Sequence, residues 1–172
     1  MRVPVLLFGL TLISGCTFLQ SATNYQSVIM DERVLEQCSR ETPRAEGFWN
    51  PTLKMARQLE QDLPVLDGTT APRIADVPAF LMDVSDYTYQ YVGVVVDGRD
   101  LVYINAFYHL SKIHNDKWQF EPVNVCGGYT HFWGALYDPV ERTFSDLTFN
   151  KASQVRPAIK IGRRNLETAP AQ

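Results

Sequence analysis

Surplus positive charge is the first thing this sequence lacks. Lysine and arginine number 16 against 19 aspartates and glutamates, and the formal net charge is −3. Duplex nucleic acid is held through a basic footprint, so a nucleic-acid partner is not expected. Long apolar runs are missing too: the stretch from Val3 to Ile13 has about eleven residues, short of the roughly twenty that span a bilayer as a helix. Histidine and cysteine occur three times each, with none of the paired spacings of a zinc site. Asp83, Asp86 and Asp138 stand singly near turns, not as the carboxylate pair that general acid–base work requires. Gly127-Gly128 lacks the Gly-Lys-Ser/Thr of a phosphate loop, and the sequence calls for no cofactor. What remains is an ordinary globular composition, 45% apolar and 12% aromatic over 172 residues, enough for one domain with a sizeable core.

The N-terminus carries an address. Met1-Arg2 is a short positive start, Val3 to Ile13 is apolar, and Ser14-Gly15 supplies small residues before a cleavage point, the pattern of a secretory signal. Leu12-Ile13-Ser14-Gly15-Cys16 resembles the lipobox of bacterial lipoproteins. That resemblance implies cleavage before Cys16, diacylglycerol on its sulfur and an acyl chain on its new amino group. Several chains at about 0.8 kcal/mol per buried methylene make a firm membrane anchor. Residue 17 is Thr, not the Asp that marks inner-membrane retention in such proteins, so the resemblance implies the outer membrane. The expected layout is a signal peptide over 1–15, a lipidated tether over 16–24, one α+β domain over 25–164 and a disordered tail over 165–172.

With Cys16 assigned to lipid, Cys38 and Cys126 remain, and an even remainder in an exported domain reads as a disulfide. The bridge closes about ninety residues, which in the chain-entropy model constrains the unfolded state by about 4–5 kcal/mol. Competing readings use the same cysteine. Cys126 with His131 is a possible nucleophile and base, and His109 and His114 are further metal-ligand candidates; both need a free thiol or a fuller ligand set.

Spacing predicts a helix from Tyr25 to Ser39, a loop from Arg40 to Trp49, and a second helix capped by Asn50 with Pro51 at its first position, ended by Pro64. From Tyr87 the composition turns to strand formers. Tyr87–Val96 and Leu101–Tyr108 flank Asp97-Gly98, a strong hairpin signal. A four-residue loop pairing Val96 with Leu101 is preferred to a two-residue turn, because it keeps Asp100 out of the ladder. Trp118–Val125 reads as a third strand at an edge or bulge because of Pro122, Tyr129–Tyr137 as a fourth and Thr143–Phe149 as a fifth. The expected fold is α+β, two N-terminal helices packed on an antiparallel meander of about five strands.

Four residues are candidates for a binding surface. Trp133 and Tyr137 share one face of a strand and, beside Tyr91, could form an aromatic groove for sugar or peptide; packing in the core is the plain alternative. Asn105 is an amide within an apolar strand, either a ligand contact or a hydrogen-bonded structural group. Gly127-Gly128 reads as a bend, with a backbone anion nest as the alternative. Lys151 to Arg164 carries five basic residues and no acidic one, either a solvated segment or a patch for anionic headgroups.

Gln90-Tyr-Val-Gly93, Ile104-Asn-Ala-Phe107, Cys126-Gly-Gly128, Phe132-Trp-Gly134, Tyr137-Asp-Pro139 and Phe149-Asn150 together resemble a set found in small bacterial proteins with no established activity. The group has an acidic residue between the cysteine and the glycines, which this chain lacks. The functional expectation is a non-catalytic, periplasm-facing lipoprotein, a binding or structural module with a possible protein partner in the periplasm. The alternatives are an inhibitor or immunity-type lipoprotein against a periplasmic toxin or hydrolase, and an enzyme using Cys126 and His131.

Overall fold

The computed structural model describes residues 26–69, 82–109 and 116–151. The signal segment, Cys16, His114, the basic stretch beyond Lys151 and the tail lie outside them. Six strands form one mixed sheet: β1 (Ser27–Ile29), β2 (Gly47–Trp49), β3 (Tyr87–Val96), β4 (Arg99–Tyr108), β5 (Phe132–Asp138) and β6 (Thr143–Phe149). Their order is β1-β3-β4-β5-β6, with β2 also on β3. Among the described residues there is one α-helix, α1 (Leu53–Asp62), which runs into a 3-10 turn over Leu63–Leu66.

This corrects the expected pair of helices on a meander. Only the second expected helix forms, and its cap is Thr52, whose side chain accepts from the Met55 N–H at 3.3 Å. Residues 25–39 had only imperfect helical spacing, and a stronger demand decides their conformation. The outer edge of β3 carries backbone groups that need partners when buried. β1 meets them in parallel, Ser27–Ile29 opposite Tyr89–Tyr91. β2 meets the next segment antiparallel, Gly47–Trp49 opposite Val95–Gly93. Asp31 then caps a 3-10 turn, Glu32–Leu35, that places Val34 in the core. The expected third strand is also replaced: Asp116–Gln119 is a 3-10 turn, followed by a loop.

The central hairpin corrects the preferred register. Val95 lies opposite Asp100 and Val96 opposite Arg99, around a two-residue turn with φ of 50° at Asp97 and 69° at Gly98. Both φ are positive, as the twist-matched two-residue turns require. Asp100 in the ladder costs little because the end of the hairpin is solvated: Arg99 and Asp100 are both exposed.

Period-2 alternation gives the sheet two unlike faces. On one, Tyr89, Tyr91, Ile104, Ala106, Trp133, Ala135 and Tyr137 pack with Ala56, Leu59 and Leu63 of the helical segment. Trp133 meets the edges of Tyr87 and Tyr89 at centroid distances of 5.7 and 5.9 Å. Full burial of a large apolar side chain stabilises by about 1.5–3 kcal/mol. This aromatic layer is therefore the main apolar contribution. On the opposite face Val92, Val94, Leu101, Tyr103 and Leu136 pack with Met30 and Val34, but Thr88, Gln90 and Asn105 are buried there as well.

Glu60 is the acidic exception on the inner face of α1. It is buried and accepts from the Ser27 hydroxyl at 2.5 Å, which ties the helix to β1. Burial pushes its carboxyl above the ordinary value of 4.5, and the Ser27 hydrogen bond opposes the shift. A carboxyl raised in the fold favours folding most below its unfolded value and loses that contribution as pH rises through the folded one. Glu60→Gln is therefore expected to raise the melting temperature at pH 7, with the gain vanishing below pH 4.5. A gain of equal size at both pH values would contradict this.

Candidate functional site

None of the four residues expected at a binding surface reaches it. Trp133 and Tyr137 are 0% exposed and Tyr91 1%, covered by α1 on the aromatic face. Asn105 is 1% exposed on the opposite face. The alternation that brings the three aromatics together points them inward, and the helix closes over them.

Asn105 belongs instead to a polar cluster centred on Arg40, which is 6% exposed. Arg40 Nη2 donates to Asn105 Oδ1, Nη1 to Asn150 Oδ1 at 2.7 Å, and Nε to the Tyr103 hydroxyl at 3.1 Å. These acceptors are neutral. Burial pushes the guanidinium below its ordinary pKa, and Tyr103 opposes the shift; burial raises the Tyr103 phenol. Gly134 makes the room. A Cβ there would stand 2.5 Å from the Tyr103 hydroxyl and 2.9 Å from Arg40 Nε, closer than atoms can pack.

The amides around Arg40 also hold the loop that replaces the expected third strand. Asn105 Nδ2 donates to Gln90 Oε1 and to the Val123 carbonyl, each at 2.9 Å. Gln90 Nε2 donates to the carbonyls of Trp118 and Glu121, at 2.7 and 2.8 Å. Gln90 Oε1 accepts from Val123 N–H at 2.9 Å. Asn150 Nδ2 donates to Val125 and Gly127 carbonyls, both at 2.7 Å. Side chains thus satisfy backbone groups that would otherwise need a sheet partner.

The disulfide closes the same corner. Cys38 and Cys126 are joined at 2.12 Å, both exposed. Beside them the Gly127 N–H donates to Ser39 Oγ at 2.5 Å and the Lys151 N–H to the Ser39 carbonyl at 2.8 Å. Gly127 and Gly128 turn the chain with φ of 101° and 87°. The Gly127 N–H that an anion nest would use is occupied. In the bridged state Cys126 has no thiol, and the His131 ring stacks on Tyr108 at 5.0 Å. His109 stacks on Tyr108 at 5.3 Å. Among the described residues no three of histidine, cysteine, aspartate and glutamate come together in a metal-holding group. Asp83 caps a 3-10 turn, and Asp138 accepts from the Val140 and Glu141 N–H groups in the β5–β6 turn.

The surface opens elsewhere. One cleft, about 280 Å³, has Tyr103 and Leu136 in its walls with Glu41 and Asp146 at its edge. A second, about 460 Å³, lies between α1 and the β5–β6 turn, lined by Leu53, Lys54, Arg57, Gln58, Gln61 and Arg142. Gln58 fixes its floor, donating to the Tyr137 hydroxyl at 3.0 Å and to the Pro139 carbonyl at 2.9 Å. Asp62 accepts from Arg142 and from the Tyr137 hydroxyl, and Arg142 holds the Asp62 carboxyl below its ordinary range. No local run of residues marks this groove, since its parts lie some eighty residues apart. Comparison with known protein families, with curated proteins and with solved structures finds no match to this chain.

Two outcomes test the cluster and its staple. Arg40→Met removes a desolvated charge but orphans three buried acceptors at about 1–3 kcal/mol each. A net loss of about 3 kcal/mol is expected in urea unfolding, and a loss under about 1 kcal/mol would show that the cluster is not needed. The Cys38→Ser/Cys126→Ser pair should cost about 2–5 kcal/mol. Thiol titration of the denatured, unreduced domain should find neither cysteine reactive.

Proposed function

We propose that the chain is a lipid-anchored, periplasm-facing lipoprotein whose folded domain serves as a non-catalytic binding or structural module. The lipobox Leu12–Cys16 carries the reading: it supplies the acylation point and, with the preceding signal, the export route. The Cys38–Cys126 bridge supports it independently. Exposed disulfides persist in oxidising compartments and are rare in the reducing cytosol. Thr17 after the cysteine favours the outer membrane as the residence.

The domain suits display work more than chemistry. Its polar groups converge inward, on Arg40 and on loop carbonyls, and its cysteines are joined to each other. What faces outward is a stapled scaffold with shallow clefts, which fits a module that holds or meets something at the membrane surface.

Acylation is directly measurable. The mature protein should carry the mass of a diacylglyceryl group and an acyl chain on a chain starting at Cys16, incorporate labelled palmitate and fractionate with outer membranes. Cys16→Ser should lose the label and the membrane association together. A soluble, unmodified mature protein would exclude the anchored reading.

A further inference from the structure

The groove between α1 and the β5–β6 turn gathers cations in a chain of net charge −3. Lys54 and Arg57 are three residues apart on the exposed side of α1, the spacing of neighbours on one helical face, and Arg142 stands across from them. Arg142 is fixed in place: Nε and Nη2 donate to the two Asp62 carboxylate oxygens, at 3.0 and 2.5 Å. The helical wall and the turn keep their separation through Gln58. The carboxylates behind them are already engaged, Asp62 by Arg142 and Tyr137, and Glu60 by the Ser27 hydroxyl and the Arg57 charge. Glu141, exposed on the same turn, is the opposing charge.

Two apolar side chains stand out in the same region. Leu53 lines the groove at 70% exposure, and Val140, in the turn that carries Arg142, is 82% exposed. Cations beside exposed aliphatic groups suit a surface that rests on an anionic bilayer. Ammonium and guanidinium groups meet headgroup phosphates while the aliphatic groups enter the interface. The chain between Cys16 and Gln26 can span at most about 35 Å, at 3.3–3.6 Å per residue. An anchor at Cys16 therefore holds Gln26 within about 35 Å of the bilayer.

We propose that the groove of Lys54, Arg57 and Arg142 is a docking surface for anionic phospholipid headgroups, laying the domain against the membrane that holds its anchor. It rests on the lipid-anchored reading and names the surface that the anchored domain turns to the bilayer. Lys54 carries the least encumbered charge, because Arg142 is partly neutralised by Asp62 and Arg57 also faces Glu60.

The test uses the chain from residue 16 with Cys16→Ser, which keeps every described element and carries no lipid. Co-sedimentation at low salt compares vesicles of mixed phosphatidylglycerol and phosphatidylcholine with phosphatidylcholine alone. Binding to the anionic vesicles is expected, weakening with added salt. Lys54→Ala/Arg57→Ala should weaken it about 25-fold, at about fivefold per cation, with the fold kept because both positions are exposed. Glu141→Gln should strengthen it. Equal binding to neutral vesicles, or parental binding by the double variant, overturns the proposal. So does complete displacement by inorganic phosphate at matched ionic strength, which would mark a site for the free anion. The unacylated chain separates this outcome from that of the anchor. Vesicle binding without lipid on Cys16 in cells removes the anchor alone; lipid on Cys16 without vesicle binding removes the docking surface alone.

Discussion

A guanidinium buried without a carboxylate needs neutral oxygen atoms in fixed positions around it, and Arg40 imposes that requirement on this domain. Three side chains distant from it in sequence answer it: Tyr103 and Asn105 from β4, and Asn150 just after β6. Meeting the demand fixes much else. Asn105 must be held by Gln90 across the β3–β4 ladder, Gly134 must lack a side chain, and Asn150 must be placed where it also takes up the carbonyls of the disulfide loop. The two sides of the sheet thus do different work. The aromatic side supplies apolar burial, and the polar side supplies directional bonds that admit few alternative arrangements.

The network also explains how an irregular loop lies against a buried sheet. The segment from Trp118 to Gly127 contributes no strand, yet its inward carbonyls find amide donors on Gln90, Asn105 and Asn150. The disulfide and the Ser39 contacts close the end of this segment against the chain that carries Arg40. Staple and arginine therefore secure the same junction, one covalently and the other through hydrogen bonds.

Sequence patterning revealed the parts of the fold that rest on local signals. The β3–β4 hairpin, β6 and α1 were each visible as runs of characteristic composition, and cysteine arithmetic found the bridge. The elements that were missed depend on partners far away. β1 and β2 are three residues each, too short for periodicity to register, and exist because β3 has an edge to fill. Arg40 looked like any loop arginine. Its burial follows only once β4, β5 and the residue after β6 are neighbours. Gln90, Asn105, Gly134 and Asn150 all fall within the short motifs quoted from the chain, but the residue that unites them lies outside every one. The aromatic stretch of β5 was misleading for a related reason: alternation showed that Trp133 and Tyr137 share a face, not which face the helix covers.

The divided edge of β3 has a consequence for how copies of the domain meet one another. A long exposed strand offers a row of backbone donors and acceptors on which another copy can add, the usual start of sheet-to-sheet aggregation. Here that row is taken by two pieces running in opposite directions, one parallel and one antiparallel. Each is too short to serve as a template of its own. At the other side of the sheet, β6 has a register break opposite Gly134–Leu136 and an aspartate, Asp146, at φ of 53°. An incoming strand there meets a kinked ladder and a charge. Both borders of the sheet thus resist extension, which would let many copies crowd together without joining edge to edge.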